Sequence, residues 1–320
     1  MIVATSRSAS TPLALVELPP RPLGPLDVRV KTRSIGVNPV DWKMREGGPL
    51  RLAHRFVGPG GPLVVGVDFS GEIVERGASV RDLAVGQAVV GGTDFSRKQR
   101  GSYATEVVVR ADQCAPLPSA VTFEQAACLP VPGATAHRAL VELGRLQERS
   151  GARVLVLGAS GGVGLVCLQL ARAKGADAWG VCSARNVALV ERMGARALDY
   201  TAGDPLLEAS RAGPFDVIVN AVGTATYAGA RARALLSPSG VHVLVAVRPH
   251  DYPAMTLSSR TTAVLGRPCR ANLAPLVALM AKGELEVLVE RVFPLAEAEA
   301  AHALSRAGKV VGKLLLEPPG

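Results

Sequence analysis

Between Gly158 and Gly164 the chain reads GASGGVG, preceded by the apolar run RVLVL and followed at once by a helical pattern, LVCLQLAR. Glycines at such a turn allow tight backbone geometry and close approach of a pyrophosphate, whose charge would rest on free N–H groups at the helix start. Gly161 and Gly164 hold the second and third positions of G-x-G-x-x-G, while Ala159 holds the first. Ser160, Gly161, Gly162 and Val163 are therefore the candidate phosphate contacts. The next expected strand runs into Ser183-Ala184-Arg185-Asn186, where a reader of a ribose 2′-hydroxyl would carry Asp or Glu. A hydroxyl and a guanidinium stand there instead, which suits a 2′-phosphate. A cation at a helix start also opposes the helix dipole unless an anion joins it. Tyr200, ending the following expected strand, is a third donor. The pattern favours NADPH over NADH.

These residues need a scaffold, and its period is legible. From Arg153 onward strand and helix alternate, with strands expected at Val154–Leu157, Ala178–Cys182, Asp216–Ala221 and Val241–Val245. Helices are expected near Gly162–Lys174, Val187–Met193, Tyr227–Leu236 and Leu273–Lys282. Such alternation implies right-handed βαβ units in a doubly wound parallel sheet. Up to about Pro118 the pattern is instead one of short β-like runs broken by Gly and Pro, such as Val28–Thr32, Phe69–Glu75, Ala88–Val90 and Ala104–Val109, which reads as a small antiparallel barrel-like domain. The segment Thr122–Leu146 turns helical, interrupted by Pro130 and Pro132. The tail closes with a strand at Val287–Phe293, a helix at Ala296–Arg306 and a strand at Val311–Glu317. The expected division is an α/β chain with a first domain at 1–120, completed by 288–320, and a second at 121–287.

With 320 residues, 48% hydrophobic and 20% charged, the chain suits two globular domains and not extended disorder. The N-terminal stretch MIVATSRSAS lacks the apolar core of a signal peptide, so a cytoplasmic location without a membrane span is expected. Five scattered cysteines without a C-x-x-C pair read as reduced thiols, and no His or Cys spacing suggests a metal. Net charge is +9, but the basic residues are dispersed and only 4% of residues are aromatic, which argues against a nucleic-acid partner. Attraction to an anionic cofactor is the plainer use of that charge.

Five ordered segments carry a resemblance. They are Ile35-Gly36-Val37-Asn38-Pro39-Val40-Asp41-Trp42-Lys43, Gly66-Val67-Asp68-Phe69-Ser70-Gly71, Leu129-Pro130-Val131-Pro132-Gly133-Ala134-Thr135-Ala136, the turn Gly158–Gly164, and Val311-Gly312-Lys313. In order and spacing the chain resembles the zinc-free quinone oxidoreductase (zeta-crystallin-like) branch of the medium-chain dehydrogenase/reductase superfamily, from about Pro12 to Glu317. The resemblance implies a GroES-like β-barrel catalytic domain beside a Rossmann NADPH-binding domain, in a homodimer paired through edge strands near Val241–Ala246 and Ala263–Leu265. Zinc-bearing relatives need a Cys where this chain has Asn38 and a G-H-E triplet where it has Gly66-Val67-Asp68, so no metal is expected.

The activity implied is metal-free hydride transfer from NADPH to a quinone or an α,β-unsaturated carbonyl. A dedicated biosynthetic enoyl reductase or cyclase, or a non-catalytic NADPH-binding protein, is the alternative. By resemblance Thr135 sits near the nicotinamide and Asn38 lines the substrate cleft. Ala221, Val222, Gly223, Val245, Ala246 and Val247 follow the cofactor along the strand ends, and Lys313 approaches it from the closing strand. Lys43 replaces a tyrosine usual in bacterial members and is the candidate proton donor or enolate stabiliser. Tyr103 and Asp41 are alternatives, with Asp41 also read as capping a helix start. Gly47–Gly61 reads as a loop bordering the substrate mouth.

Overall fold

A computed structural model describes residues 1–6, 11–227, 229–247 and 249–319, without the side chains at 48–50, 53 and 249. Positions 7–10 of the N-terminal stretch and the Gly48-Pro49-Leu50 side chains of the expected loop thus lie outside the described residues. The chain divides into two compact units. One comprises Met1–Val131, Arg267–Gly283 and Val287–Gly320; the other comprises Pro132–Gly266 and Glu284–Glu286.

In the first unit a seven-stranded sheet runs in the order Val289–Pro294, Lys313–Glu317, Asp27–Val37, Asp68–Arg76, Ala88–Gly92 and Cys114–Pro116, with Glu106–Arg110 also paired to Asp27–Val37. Its long central strand, DVRVKTRSIGV, alternates buried and half-buried positions at its start, as a half-covered antiparallel strand must. Val28, Val30, Phe69, Ile73, Val89 and Val109 form one side of the core. Ile35, Val37, Tyr103, Phe293, Leu314 and Leu316 form another. A second small sheet, Ala14–Glu17, Ile2–Ser6 and Leu63–Val64, was not expected. Gly47–Gly61 is not a loop: Gly48–Val57 is a helix, with proline in its first turn and Gly58 at its end.

The second unit holds six parallel strands ordered Arg196–Asp199, Asp177–Cys182, Arg153–Leu157, Phe215–Asn220, Leu236–Leu244 and Thr261–Ala263. This is the doubly wound order, with its reversal between Arg153–Leu157 and Phe215–Asn220. Leu155, Leu157, Val181, Leu198, Phe215 and Ile218 are buried at its core. The helical segment 122–146 breaks into Phe123–Ala127 and Pro130–His137, since Pro130 lacks the N–H needed to continue the first helix.

The division differs from the expected one in two places. Residues 121–131 and the helix Arg270–Ala281 group with the first unit. The helix is tied there by Arg270, which donates from Nε to the Cys114 carbonyl at 2.8 Å, from Nη2 to the Ala111 carbonyl at 2.8 Å, and pairs with Asp82. Among the described residues no helix is long and apolar enough to cross a membrane.

Candidate active site

In the second unit the strand Arg153–Leu157 ends at Gly158, whose φ of +89° suits glycine, and the helix Gly162–Ala173 begins four residues later. A Cβ on Gly164 would meet the Gly158 carbonyl oxygen at 2.3 Å, so only glycine lets helix and turn pack this closely. Gly161 is different: a Cβ there would meet only that same oxygen, at 3.6 Å, and so would point into open space. Gly161 is the N-cap and brings no side-chain cap, leaving the first N–H groups of the helix to another acceptor. Gly161, Gly162 and Val163 are half-buried, and the helix is buried from Gly164 to Ala171. An open, uncapped helix start lined by glycine fits a pyrophosphate.

Ser183 and Arg185 lie just beyond the strand Asp177–Cys182, with Arg185 exposed. Tyr200 follows the neighbouring strand, its N–H donating to the Cys182 carbonyl at 3.0 Å, and its side chain is 51% exposed. Sequence reasoning missed Asn186. Its buried Nδ2 donates to Ser160 Oγ at 3.0 Å and reaches Ser183 Oγ at 3.4 Å, joining the glycine turn to the second strand's end. On the far side of the sheet reversal, Ala221 donates its N–H to the Leu157 carbonyl at 3.0 Å, and Val245 donates to the Asn220 carbonyl at 3.0 Å. Val222 is 42% exposed, and a Cβ on Gly158 would lie 2.6 Å from its Cγ1. Val245, Ala246 and Val247 are half-buried at the end of the next strand. Thr135 is buried against Gly266, where a Cβ would meet Thr135 Oγ1 at 2.5 Å.

The first unit holds a buried polar cluster. Lys313 donates from Nζ to the Val37 carbonyl at 2.9 Å, to Asn38 Oδ1 at 2.6 Å and to Asp68 Oδ2 at 3.1 Å. Asp68 also accepts from Asn38 Nδ2 at 2.8 Å and from the Val131 N–H at 2.8 Å. Burial pushes the Asp68 carboxyl up, against the opposing pull of Lys313 and these donors. Next to it, Asp41 Oδ2 accepts the Asn38 N–H at 2.7 Å, so Asn38 is the cap and Asp41 closes the box from inside the helix Pro39–Glu46. Tyr103 Oη lies 3.3 Å from Asp41 Oδ2 and 3.0 Å from His302 Nε2. Burial, then the Asp68 charge, pushes Asp41 up to about 8, while burial and the Arg45 charge pull His302 down to about 4. The resulting chain is neutral near pH 7.

Residues 24–119 match the alcohol dehydrogenase GroES-like domain, and residues 193–316 match a zinc-binding dehydrogenase domain. The trans-enoyl reductase pgmF of Aspergillus terreus is 31% identical over 317 residues, spanning 92% of this chain and 87% of its own. The chain belongs to the medium-chain dehydrogenase/reductase superfamily. Within it the likeness is to quinone oxidoreductases. That from Coxiella burnetii superposes with a TM-score of 0.86 at 29% identity over 99% of this chain and 98% of its own. Escherichia coli quinone oxidoreductase complexed with NADPH gives 0.80 at 25% identity over 99% of both chains. This medium-chain dehydrogenase/reductase is thus an oxidoreductase of the quinone oxidoreductase branch.

Two further expected site residues lie in the first unit of this medium-chain reductase. Lys313 gives its three ammonium hydrogens to Val37, Asn38 and Asp68. Lys43 stands on the exposed face of its helix with Nζ 5.4 Å from the Trp42 ring centroid. Asn38 is buried and its orientation is dictated by Asp68 and Lys313. The sequence carried no sign of the Lys313–Asp68 pairing, which spans 245 positions. His302 did leave one: a histidine in the apolar stripe of Ala298–Arg306, beside Ala298 and Ala301.

Proposed function

We propose that this chain is an NADPH-dependent reductase transferring hydride to a quinone or to the double bond of an α,β-unsaturated carbonyl. The observation that carries the reading is Ser183 and Arg185 at the carboxyl end of Asp177–Cys182, beside the uncapped helix start at Gly161. Bound NADPH would supply the hydride. The N–H groups of Gly161, Gly162 and Val163 would hold the pyrophosphate, and Ser183, Arg185 and Tyr200 the 2′-phosphate. Asn186 keeps the Ser160 and Ser183 hydroxyls in register. Ala221, Val222, Val245, Ala246 and Val247 would form the shelf for the other half of the cofactor, with Thr135 at the reacting end. Asn38 keeps one amide hydrogen beyond that given to Asp68, a neutral donor suited to an acceptor oxygen on which charge develops. Lys313 would set the orientation of Asn38, and Lys43 would be the candidate proton donor or enolate stabiliser. The Escherichia coli relative solved with NADPH supports the choice of cofactor.

Similarity to the Aspergillus reductase favours one further reading, an enoyl reductase dedicated to a pathway intermediate. The test of both is a fluorescence titration with NADPH and NADH, followed by an acceptor panel of quinones and enones. NADPH is expected to bind more tightly, and Ser183→Ala with Arg185→Ala to weaken it roughly 10- to 100-fold while leaving NADH unchanged. Preference of the wild-type protein for NADH would overturn the 2′-phosphate assignment. Tight NADPH binding with no turnover on the panel would favour the dedicated enzyme.

A further inference from the structure

A dinucleotide laid across the sheet reversal has its adenosine half over Asp177–Cys182 and its nicotinamide half over Phe215–Asn220 and Leu236–Leu244. The segments leaving those last two strands are tied together by side chains that the cofactor reading does not use. Asn220 is fully buried, and its Oδ1 accepts the N–H of Gly223 at 2.8 Å and of Val222 at 3.3 Å. That bends the chain immediately past the strand, and Gly223 takes a φ of +90° to complete the turn. One residue on, the Thr224 hydroxyl donates to Asp251 Oδ1 at 2.5 Å. With its hydrogen so used, Thr224 Oγ1 accepts from His250 Nε2 at 2.8 Å. Asp251 is buried ahead of the helix Tyr252–Leu257, so the bond anchors an otherwise exposed turn to a sequestered carboxylate. The Asn220 carbonyl, meanwhile, accepts the Val245 N–H. Ala221–Gly223 and Val245–Val247 are thereby pinned at both ends of one short span.

We propose that Asn220, Thr224 and Asp251 form a latch that positions the nicotinamide-side turns, an inference resting on the NADPH reading above. Thr224 is a positioning residue: it acts through Val222 and Gly223 and touches no reacting atom. Loosening it allows the turn carrying Val222 to drift, which misaligns the nicotinamide while leaving the adenosine side, on Ser183 and Arg185, as it was.

The test compares wild type, Thr224→Val and Thr224→Ser by titration with NADPH and with adenosine 2′,5′-bisphosphate, the adenosine-side fragment. Turnover constants on an accepted quinone or enone and the thermal midpoint accompany them. Thr224→Val, isosteric but without the hydroxyl, is expected to weaken NADPH or lower kcat roughly tenfold or more while leaving the bisphosphate affinity within about twofold. Thr224→Ser restores the hydroxyl and should recover most of the loss. Equal loss for NADPH and fragment, or no loss in either NADPH affinity or kcat, would overturn the latch. Failure of the wild-type protein to bind the bisphosphate would instead overturn the NADPH reading, and the latch with it.

Discussion

Lys313→Met probes the charge pair at the heart of the first unit. The ammonium is nearly inaccessible, its side chain 7% exposed, and it bonds to the Val37 carbonyl, Asn38 Oδ1 and Asp68 Oδ2. Methionine preserves most of the stem's volume but removes the charge and all three donors. Asp68, fully buried, keeps the Val131 and Asn38 N–H groups yet loses its counter-charge. Breaking a buried pair on one side costs ~3–5 kcal/mol, most of it the penalty on the charge left behind. At roughly 2–4 °C per kcal/mol for a unit of this size, the thermal midpoint should fall by about 6–20 °C. Removing both charges in Lys313→Met/Asp68→Asn leaves nothing stranded and should recover half or more of the loss. Urea unfolding of the wild type, the two single variants and the double variant closes a thermodynamic cycle. A loss below about 1 kcal/mol in Lys313→Met, or a double variant no more stable than it, would refute the argument that these groups neutralise each other.

Two further outcomes follow from the same physics. Gly161→Ala should fold with wild-type stability but lose NADPH affinity, because its methyl enters the space left for the pyrophosphate, whereas Gly164→Ala should lose stability by collision with the Gly158 carbonyl; paired thermal melts and NADPH titrations that fail to separate the variants would defeat this reading. Stability should fall as pH climbs from about 6.5 toward 8. Asp41, pushed from 3.8 to about 8, makes the native state the better proton binder there, as does Asp68, pushed up by burial, while His242 and His302, pulled from 6.5 to about 4, oppose this trend only below 6.5. Asp41→Asn should lessen that fall in urea unfolding, and a wild-type profile that rises to pH 8 would contradict it.

The second unit was legible almost strand for strand because its signal is local. Each buried parallel strand is a short apolar run, each crossover helix restores the longer period, and the glycine turn marks where the two first meet. The helix Gly48–Val57 was misread, although Gly48-Pro49 in its first turn and Gly58-Pro59 behind it are start and stop signals; their density suggested a loop. The edge strand Thr261–Ala263 is too short to carry a period at all. The polar contacts were out of reach for a different reason. Asp68 and Lys313 sit in separate motifs, and Asn186 and Asn220 have ordinary surroundings in sequence, so only the assembled fold shows what each side chain bonds to.

The buried cluster also bears on which acceptors the proposed reaction can serve. By the family resemblance, Asn38 and the Gly66-Val67-Asp68 triplet would stand where zinc-bearing relatives carry metal ligands. Here their side chains hold a cation that belongs to the chain itself, the Lys313 ammonium, with all three of its hydrogens engaged. A charge fixed in that way cannot follow a developing oxyanion, and Asp68 cancels much of its field at any distance. Polarisation of an acceptor is then left to neutral N–H and O–H donors, which are weaker than a mobile cation. An isolated ketone concentrates the incoming negative charge on one oxygen and needs the stronger partner. A quinone or enone spreads that charge through conjugation, so neutral donors suffice. On the proposed reading the Lys313–Asp68 pair, besides holding the first unit together, would favour acceptors that bring their own electrophilicity.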